Sequence, residues 1–346
     1  MANSPSPIKI LSGHLCPWLK TYLASLNIAR EENRLAHGWL LAGPRGIGKI
    51  NLALVIAEQL LHPSGKLPAT LDSANAISAM KERHEPCDHH QDLHWVFPEE
   101  GKQRILIDPI RELIDDLNLT SHSGQTKVAI IEPAEAMNKN AASALLKTLE
   151  EPTADTYFLL VTHHPTQLPV TIRSRCQLLP ISCPSAEEAL SWLCSGREEK
   201  RAEYSFLLAS SRGAPLAKTS EECVKYININ SELEDILILI SQDKIGAYDE
   251  TVAERFFSND KILALDWLSA RLEGAIRARF LASDYDQFKE SGFQPLLEAW
   301  EGISTKKLFL QLGALEQLTI QISTGVKINT DLALGLLLQG FHPTNK

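Results

Sequence analysis

Short apolar runs alternate with helical patterns through the first half of the chain, the rhythm of an α/β domain built on a parallel sheet. Trp39-Leu40-Leu41-Ala42 predicts a strand that runs into glycines and then into a helix over Asn51–Ala57. Val128-Ala129-Ile130-Ile131 is apolar at every position, as expected of a central strand covered on both faces. Tyr157-Phe158-Leu159-Leu160-Val161 predicts a third strand. Between the last two, Ala141–Leu149 reads as a helix stopped by Pro152.

Past Pro180 the pattern turns helical. Ser185 stands at a helix start with Glu188 three residues on, as in a capping box, and Gly213-Ala214-Pro215 marks a turn. From about residue 230 only helix is predicted. Leu265, Leu268, Leu272, Ile276 and Phe280 recur at three- and four-residue steps, and so do Leu308, Leu312 and Leu315; such stripes are core or subunit contact. No internal repeat or long low-complexity tract interrupts this order. The expected domains are 1–182, 183–225 and 226–346.

The chain has 346 residues, enough for two or three domains with a substantial core. With 44% hydrophobic and 22% charged residues it is not a disordered chain. Its net charge of −9 argues against a protein that coats nucleic acid, because phosphate contacts dominate that affinity. Any DNA contact should be local or made by a partner; Lys147, on the predicted helix, reads as an ordinary solvated lysine. Cys16, Cys87, Cys176, Cys183, Cys194 and Cys223 form no C-x-x-C pair and read as buried thiols of a reducing compartment. The opening MANSPSPIKI lacks the charged and apolar regions of a secretion signal, and Ile236–Ile240 is too short to span a membrane. The expected location is cytoplasmic.

Gly43-Pro44-Arg45-Gly46-Ile47-Gly48-Lys49-Ile50 fits the phosphate-loop pattern G-x-x-x-x-G-K-[ST] except at its last position. Gly43, Gly46 and Gly48 let backbone N–H groups curl around phosphate oxygens, the following helix N-terminus favours anions, and Lys49 is placed to reach the β- and γ-phosphates. Ile50, however, has no hydroxyl for magnesium. After the second strand an ATPase carries Asp-Glu. Here Glu132 keeps a carboxylate that could help hold a cation, but Pro133 offers no general base. Two lesions in separate elements predict little or no ATP hydrolysis and leave the binding of ATP open.

Residues from His37 to about Pro180 resemble the clamp-loader ATPases, a branch of the AAA+ superfamily. The likeness is carried by His37-Gly38-Trp39-Leu40-Leu41-Ala42-Gly43, by Lys127–Ile131 with Ala134-Glu135-Ala136-Met137-Asn138, by Ala144-Leu145-Leu146-Lys147-Thr148-Leu149-Glu150-Glu151-Pro152, and by Leu168-Pro169-Val170-Thr171-Ile172-Arg173-Ser174-Arg175-Cys176. It covers about half the chain. The resemblance implies a P-loop AAA+ domain with a parallel sheet, a small helical lid domain and an all-α collar that joins subunits. It further implies a pentameric ring with gamma/tau-type motors and a delta-type subunit, acting on a sliding clamp and primed DNA. Arg175 of Ser-Arg-Cys takes the place of the arginine finger, a cation that reaches the γ-phosphate bound next door. Thr162 takes the place that senses the γ-phosphate, and Arg173 that of a local partner.

Departures from the family are equally informative. Motor subunits carry a nucleotide-contacting arginine where Gly213-Ala214-Pro215-Leu216 offers Leu216. Members usually carry a four-cysteine zinc module, of which only Cys87 remains in the segment 84–94. Structural zinc wants four ligands. Zinc is therefore not expected, the alternative being a histidine-substituted site drawn from His84, Cys87, His89 or His94. These features favour a non-hydrolysing subunit of a DNA polymerase III loader that lends Arg175 across a seam; the alternative is an active gamma/tau-like motor.

Overall fold

The computed structural model describes residues 14–62, 69–70, 91–99, 102–119, 121, 126–195, 198–217, 220–257, 260–280, 294–323 and 327–342. The segment holding His84, Cys87, His89 and His90 lies outside them. The chain divides into two compact units, Met1–Pro184 and Ser185–Lys346.

In the first unit, helix α1 (Lys20–Glu31) precedes strand β1 (Gly38–Ala42) and helix α2 (Lys49–Leu61). Strand β2 (Leu93–Val96), helix α3 (Ile107–Asn118), strand β3 (Lys127–Ile131), helix α4 (Lys139–Glu150) and strand β4 (Thr156–Thr162) follow. A single helical turn, α5 (Val170–Arg173), and strand β5 (Gln177–Pro180) complete it. All neighbouring strands are parallel, in the order β2-β3-β4-β1-β5. β1 thus lies between β4 and β5 while β2 and β3 lie on one side, so the carboxyl ends of the strands around β1 form the crevice where an open α/β sheet binds ligands.

The three strands expected from the sequence form, and their apolar residues explain why. Val128, Ala129, Ile130 and Ile131 are fully buried, as a strand covered on both faces must be. Helix α4 starts where the Asn138 side chain accepts from the Ala141 N–H at 2.8 Å, and it ends ahead of Pro152. Lys127 is buried at the start of β3, where its ammonium donates to the carbonyls of Leu117 and Leu119 and to the Thr153 hydroxyl, tying the end of α3 to the sheet. A buried ammonium is tolerable only when its donors are matched in this way.

Described residues of the second unit are helical apart from turns: α6 (Ala186–Cys194), α7 (Arg201–Ser210), α8 (Ser220–Ser241), α9 (Glu250–Phe256), α10 (Lys261–Phe280), α11 (Gln294–Ala299), α12 (Thr305–Ser323) and α13 (Thr330–Leu338). Ser185 caps α6 by accepting from the Glu188 N–H at 3.2 Å, as its sequence predicts. Helix α8 runs unbroken through residues 225–226. Leu265, Leu268, Leu272 and Ile276 are buried with Trp267, Leu308 and Leu315 in one core, and Trp300 stacks on Phe341 at 4.8 Å. Phe280, the last residue of α10, is exposed and so lies outside this core.

Within this core sits a buried cation. Arg271 bonds Asn230 and lies over the rings of Phe206 and Trp267, at 4.7 and 5.1 Å from their centroids. Burial pushes its pKa down to about 9 against the pull of Glu234, so it remains a cation at neutral pH. Among the described residues, no helix is long and apolar enough to cross a membrane.

Candidate functional site

The phosphate-loop pattern folds as a strand–loop–helix at the crevice. Gly43 follows β1 so closely packed that a Cβ there would stand 2.1 Å from the Ile181 carbonyl oxygen. Gly48 caps α2 with φ of +84°, in the left-handed region that favours glycine. The Gly43 N–H donates to the Thr162 carbonyl, and the Ile181 N–H donates to the Ala42 carbonyl, so the ends of β4 and β5 hold the loop from both sides.

The loop's cation faces inward. Lys49 is 3% exposed, and its Nζ donates to the carbonyls of Gly43 at 2.7 Å and Pro44 at 2.5 Å. Two carbonyls at that range take up ammonium donors that would otherwise meet phosphate oxygens. Ile50 is 2% exposed, so the position that supplies a magnesium hydroxyl in an ATPase supplies a buried alkyl group. The back of the loop is packed as well: the Trp18 indole N–H donates to the Ile47 carbonyl at 2.9 Å, and Cys16 and Leu19 lie where a Cβ on Gly48 would point. Burial raises the Cys16 thiol to about 12, leaving it neutral. The chemistry of this donor set does not fit a magnesium nucleotide.

Glu132 and Thr162 close the same edge of the sheet. Glu132 is buried at the end of β3, its N–H bonded to the Val96 carbonyl, and Pro133 follows. Thr162 is fully buried, and its hydroxyl accepts from the His164 N–H at 3.2 Å. Beside it, Glu135 accepts from the His163 N–H at 2.9 Å. Burial pushes the Glu135 carboxyl up, but the Thr162 hydroxyl, the backbone N–H groups of Glu135 and His163 and the His163 ring together hold it below its ordinary value. The Thr162 side chain is thus taken up in internal hydrogen bonding.

Arg175 is placed differently. It lies between α5 and β5, beside an open cleft of about 450 Å³ lined by His37, Leu149, Glu150, Ser174 and Arg175. Its side chain is 32% exposed. One terminal nitrogen donates to the Thr171 carbonyl at 2.9 Å and to the Ser174 hydroxyl at 3.3 Å, and the other pairs with Glu150. His37 anchors the far wall through Nε2, 2.9 Å from the Leu149 carbonyl, which puts the ring proton on Nε2. Cys176, the next residue, is buried against Gly38, and burial raises its thiol to about 12. Only the arginine of Ser-Arg-Cys has the charge to meet an anion.

The structure therefore brings Gly43, Gly46, Gly48, Lys49, Glu132 and Thr162 to one edge and sets Arg175 apart from them at the cleft. Arg173 is exposed on α5 and Lys147 on α4. His94 stands 3.6 Å from Asp116, and no group of three metal-ligating side chains occurs among the described residues. Cys183 is half-buried, unlike the buried Cys16, Cys176 and Cys194. In the second unit Leu216 is buried, and Arg212 is bonded to Glu273 at 2.6 Å and Ser269 at 2.9 Å. Sequence reasoning passed over Glu150, His37 and Trp18. The Glu-Glu-Pro string and the segment His37–Gly43 carry the first two as parts of motifs without a role, and nothing local signals Trp18.

The family profile described as "DNA polymerase III, delta subunit" matches residues 19–185. The DNA polymerase III subunit delta' of Pseudomonas aeruginosa is 39% identical over 201 residues, covering 58% of this chain but only 59% of that protein. The subunit delta' of Yersinia pestis is 29% identical over 334 residues, 92% of each chain. The DNA polymerase III subunit tau/gamma of Haemophilus influenzae is 33% identical over 146 residues, 42% of this chain and 20% of that one. The delta' matches extend further along the chain than the tau/gamma match does. The chain is similar to the bacterial DNA polymerase III delta' subunits.

Proposed function

We infer that this chain is a largely non-hydrolysing subunit of a replicative clamp loader and that it lends Arg175 to the ATP site of an adjoining motor subunit. The observation that carries this reading is the contrast within one sheet: Lys49 is turned into its own loop, and Arg175 stands half-exposed at an open cleft. A guanidinium there can meet charge that builds on a transferred phosphoryl group, where its planar fork suits two oxygens at once. The hydrolytic water, magnesium and ATP belong to the neighbour's pocket.

The partners in this reading are gamma/tau-type motors and a delta-type subunit in a pentameric ring. The second unit's helices would supply the lid over 183–225 and the collar over 226–346. The assembly places a sliding clamp on primed DNA, and this chain's own contact with DNA is local. Its setting is the cytoplasm, where replication proceeds.

Arg175→Ala tests the reading. In a loader reconstituted with motors, clamp and primed DNA, hydrolysis at the adjoining site should fall by about a thousandfold, the lower end for a trans arginine. The isolated chain should be nearly silent in ATP turnover with or without the substitution. Brisk turnover by the isolated chain that Arg175→Ala lowers would instead favour a motor subunit.

A further inference from the structure

Arg175 is incompletely used in the resting chain. Its terminal nitrogens meet Thr171, Ser174 and Glu150, yet its Nε is buried without a hydrogen-bond partner. A buried N–H left unmade is costly. The Glu150 contact goes to one terminal nitrogen and does not relieve it. An oxyanion that offers two oxygens to Nε and that terminal nitrogen in parallel would satisfy both.

Glu150 is itself in an unfavourable place. It is the last residue of α4, where the helix dipole disfavours a carboxylate, and its side chain is 47% exposed. The Arg175 guanidinium offsets that penalty at rest. A half-exposed carboxylate on such a pair can leave for water at small cost.

The geometry points to Glu150 as a positioning residue: its carboxylate stands in for a phosphate oxyanion, holding the Arg175 fork at the cleft until a bidentate oxyanion displaces it. The inference rests on the reading of Arg175 as a cation lent to a neighbour's triphosphate, and it adds the internal counter-ion that the triphosphate must replace. Thr171 and Ser174 keep the other terminal nitrogen fixed during the exchange, so the guanidinium need not be repositioned. His37 and Leu149 wall the cleft through which the oxyanion enters.

The test uses the full chain and inorganic tripolyphosphate, read at the Arg175 Nε–H cross-peak by ¹⁵N–¹H NMR, with the peak assigned by its loss in Arg175→Ala. Glu150→Gln keeps an acceptor oxygen of the same shape and removes the competing charge. It should bring the Arg175 titration midpoint to about two- to fivefold lower tripolyphosphate, the range for a half-exposed ion pair. At saturation the Nε–H signal should move downfield in both proteins as that donor acquires its partner. An unchanged or higher midpoint in Glu150→Gln, or an Nε–H signal that tripolyphosphate does not move, would overturn the proposal. Glu150→Ala, which removes the positioning acceptor too, should titrate less favourably than Glu150→Gln; equal midpoints would also overturn it. If Arg175→Ala leaves the assembled loader's turnover intact while Glu150→Gln still tightens tripolyphosphate, the counter-ion role stands and the trans-arginine reading alone fails.

Discussion

Lys49 and Arg175 lie on the same α/β unit, and the fold treats the two cations in opposite ways. Lys49 is enclosed by the loop it belongs to, with two carbonyls of that loop within 2.7 Å of its ammonium and an alkyl residue after it. Arg175 is held by one carbonyl, one hydroxyl and one carboxylate at the mouth of a cleft. The first arrangement satisfies a buried charge internally, and removing it takes from the loop the donor that ties two of its carbonyls together. The second keeps a charge in reach of another molecule, and removing it costs the fold little. The glycine loop is thus held as framework by its own lysine, whatever it binds.

The comparison makes stability and function separable, and substitutions should rank accordingly. Lys49→Ala should cost the most, about 2–3 kcal/mol in urea unfolding, because it removes a buried side chain whose charged hydrogen bonds hold the Gly43 and Pro44 carbonyls. A loss below about 0.5 kcal/mol would mean that the loop does not depend on its lysine. Trp18→Phe keeps an aromatic ring but loses the N–H bonded to the Ile47 carbonyl and part of a buried bicycle, so at least about 1 kcal/mol is expected by the same measurement.

Glu135→Gln sharpens the comparison by pH. Its carboxyl titrates below the ordinary 4.5 in the folded chain, so the stability it contributes is present above 4.5 and is lost as pH falls through the lowered value. Unfolding midpoints followed into acid should therefore fall less steeply for Glu135→Gln than for the parent chain. Identical slopes would remove Glu135 from the account of the Thr162 position. Arg175→Ala should be the smallest, within about 0.5 kcal/mol of the parent, as for other surface pairs.

Much of this was legible from residue patterns. The buried strands announce themselves as unbroken apolar runs, and Asn138 and Ser185 cap helices because their short oxygens reach the first free N–H groups. Ile50 and Pro133 could be read as lesions directly, since each replaces an oxygen-bearing group by one that has none. What could not be read is how side chains meet across sequence. Arg175 and Glu150 are 25 residues apart, His37 and Leu149 are 112 apart, and the inward turn of Lys49 depends on rotamers as well as residue type. Phe280 fits the α10 stripe by spacing, and it ends the helix exposed; periodicity alone does not say which members of a stripe are core and which are left for subunit contact. Arg271 gave no signal at all: a lone arginine on a helix reads as surface until Asn230, Phe206 and Trp267 are seen around it.

The central claim is tested most directly by pre-steady-state ATP hydrolysis in the reconstituted loader, comparing the parent chain with Arg175→Ala and Arg175→Lys. The account predicts that both substitutions slow the adjoining motor's hydrolysis sharply, because an ammonium cannot replace a two-pronged guanidinium. Hydrolysis at the parent rate with Arg175→Ala in the ring would contradict it.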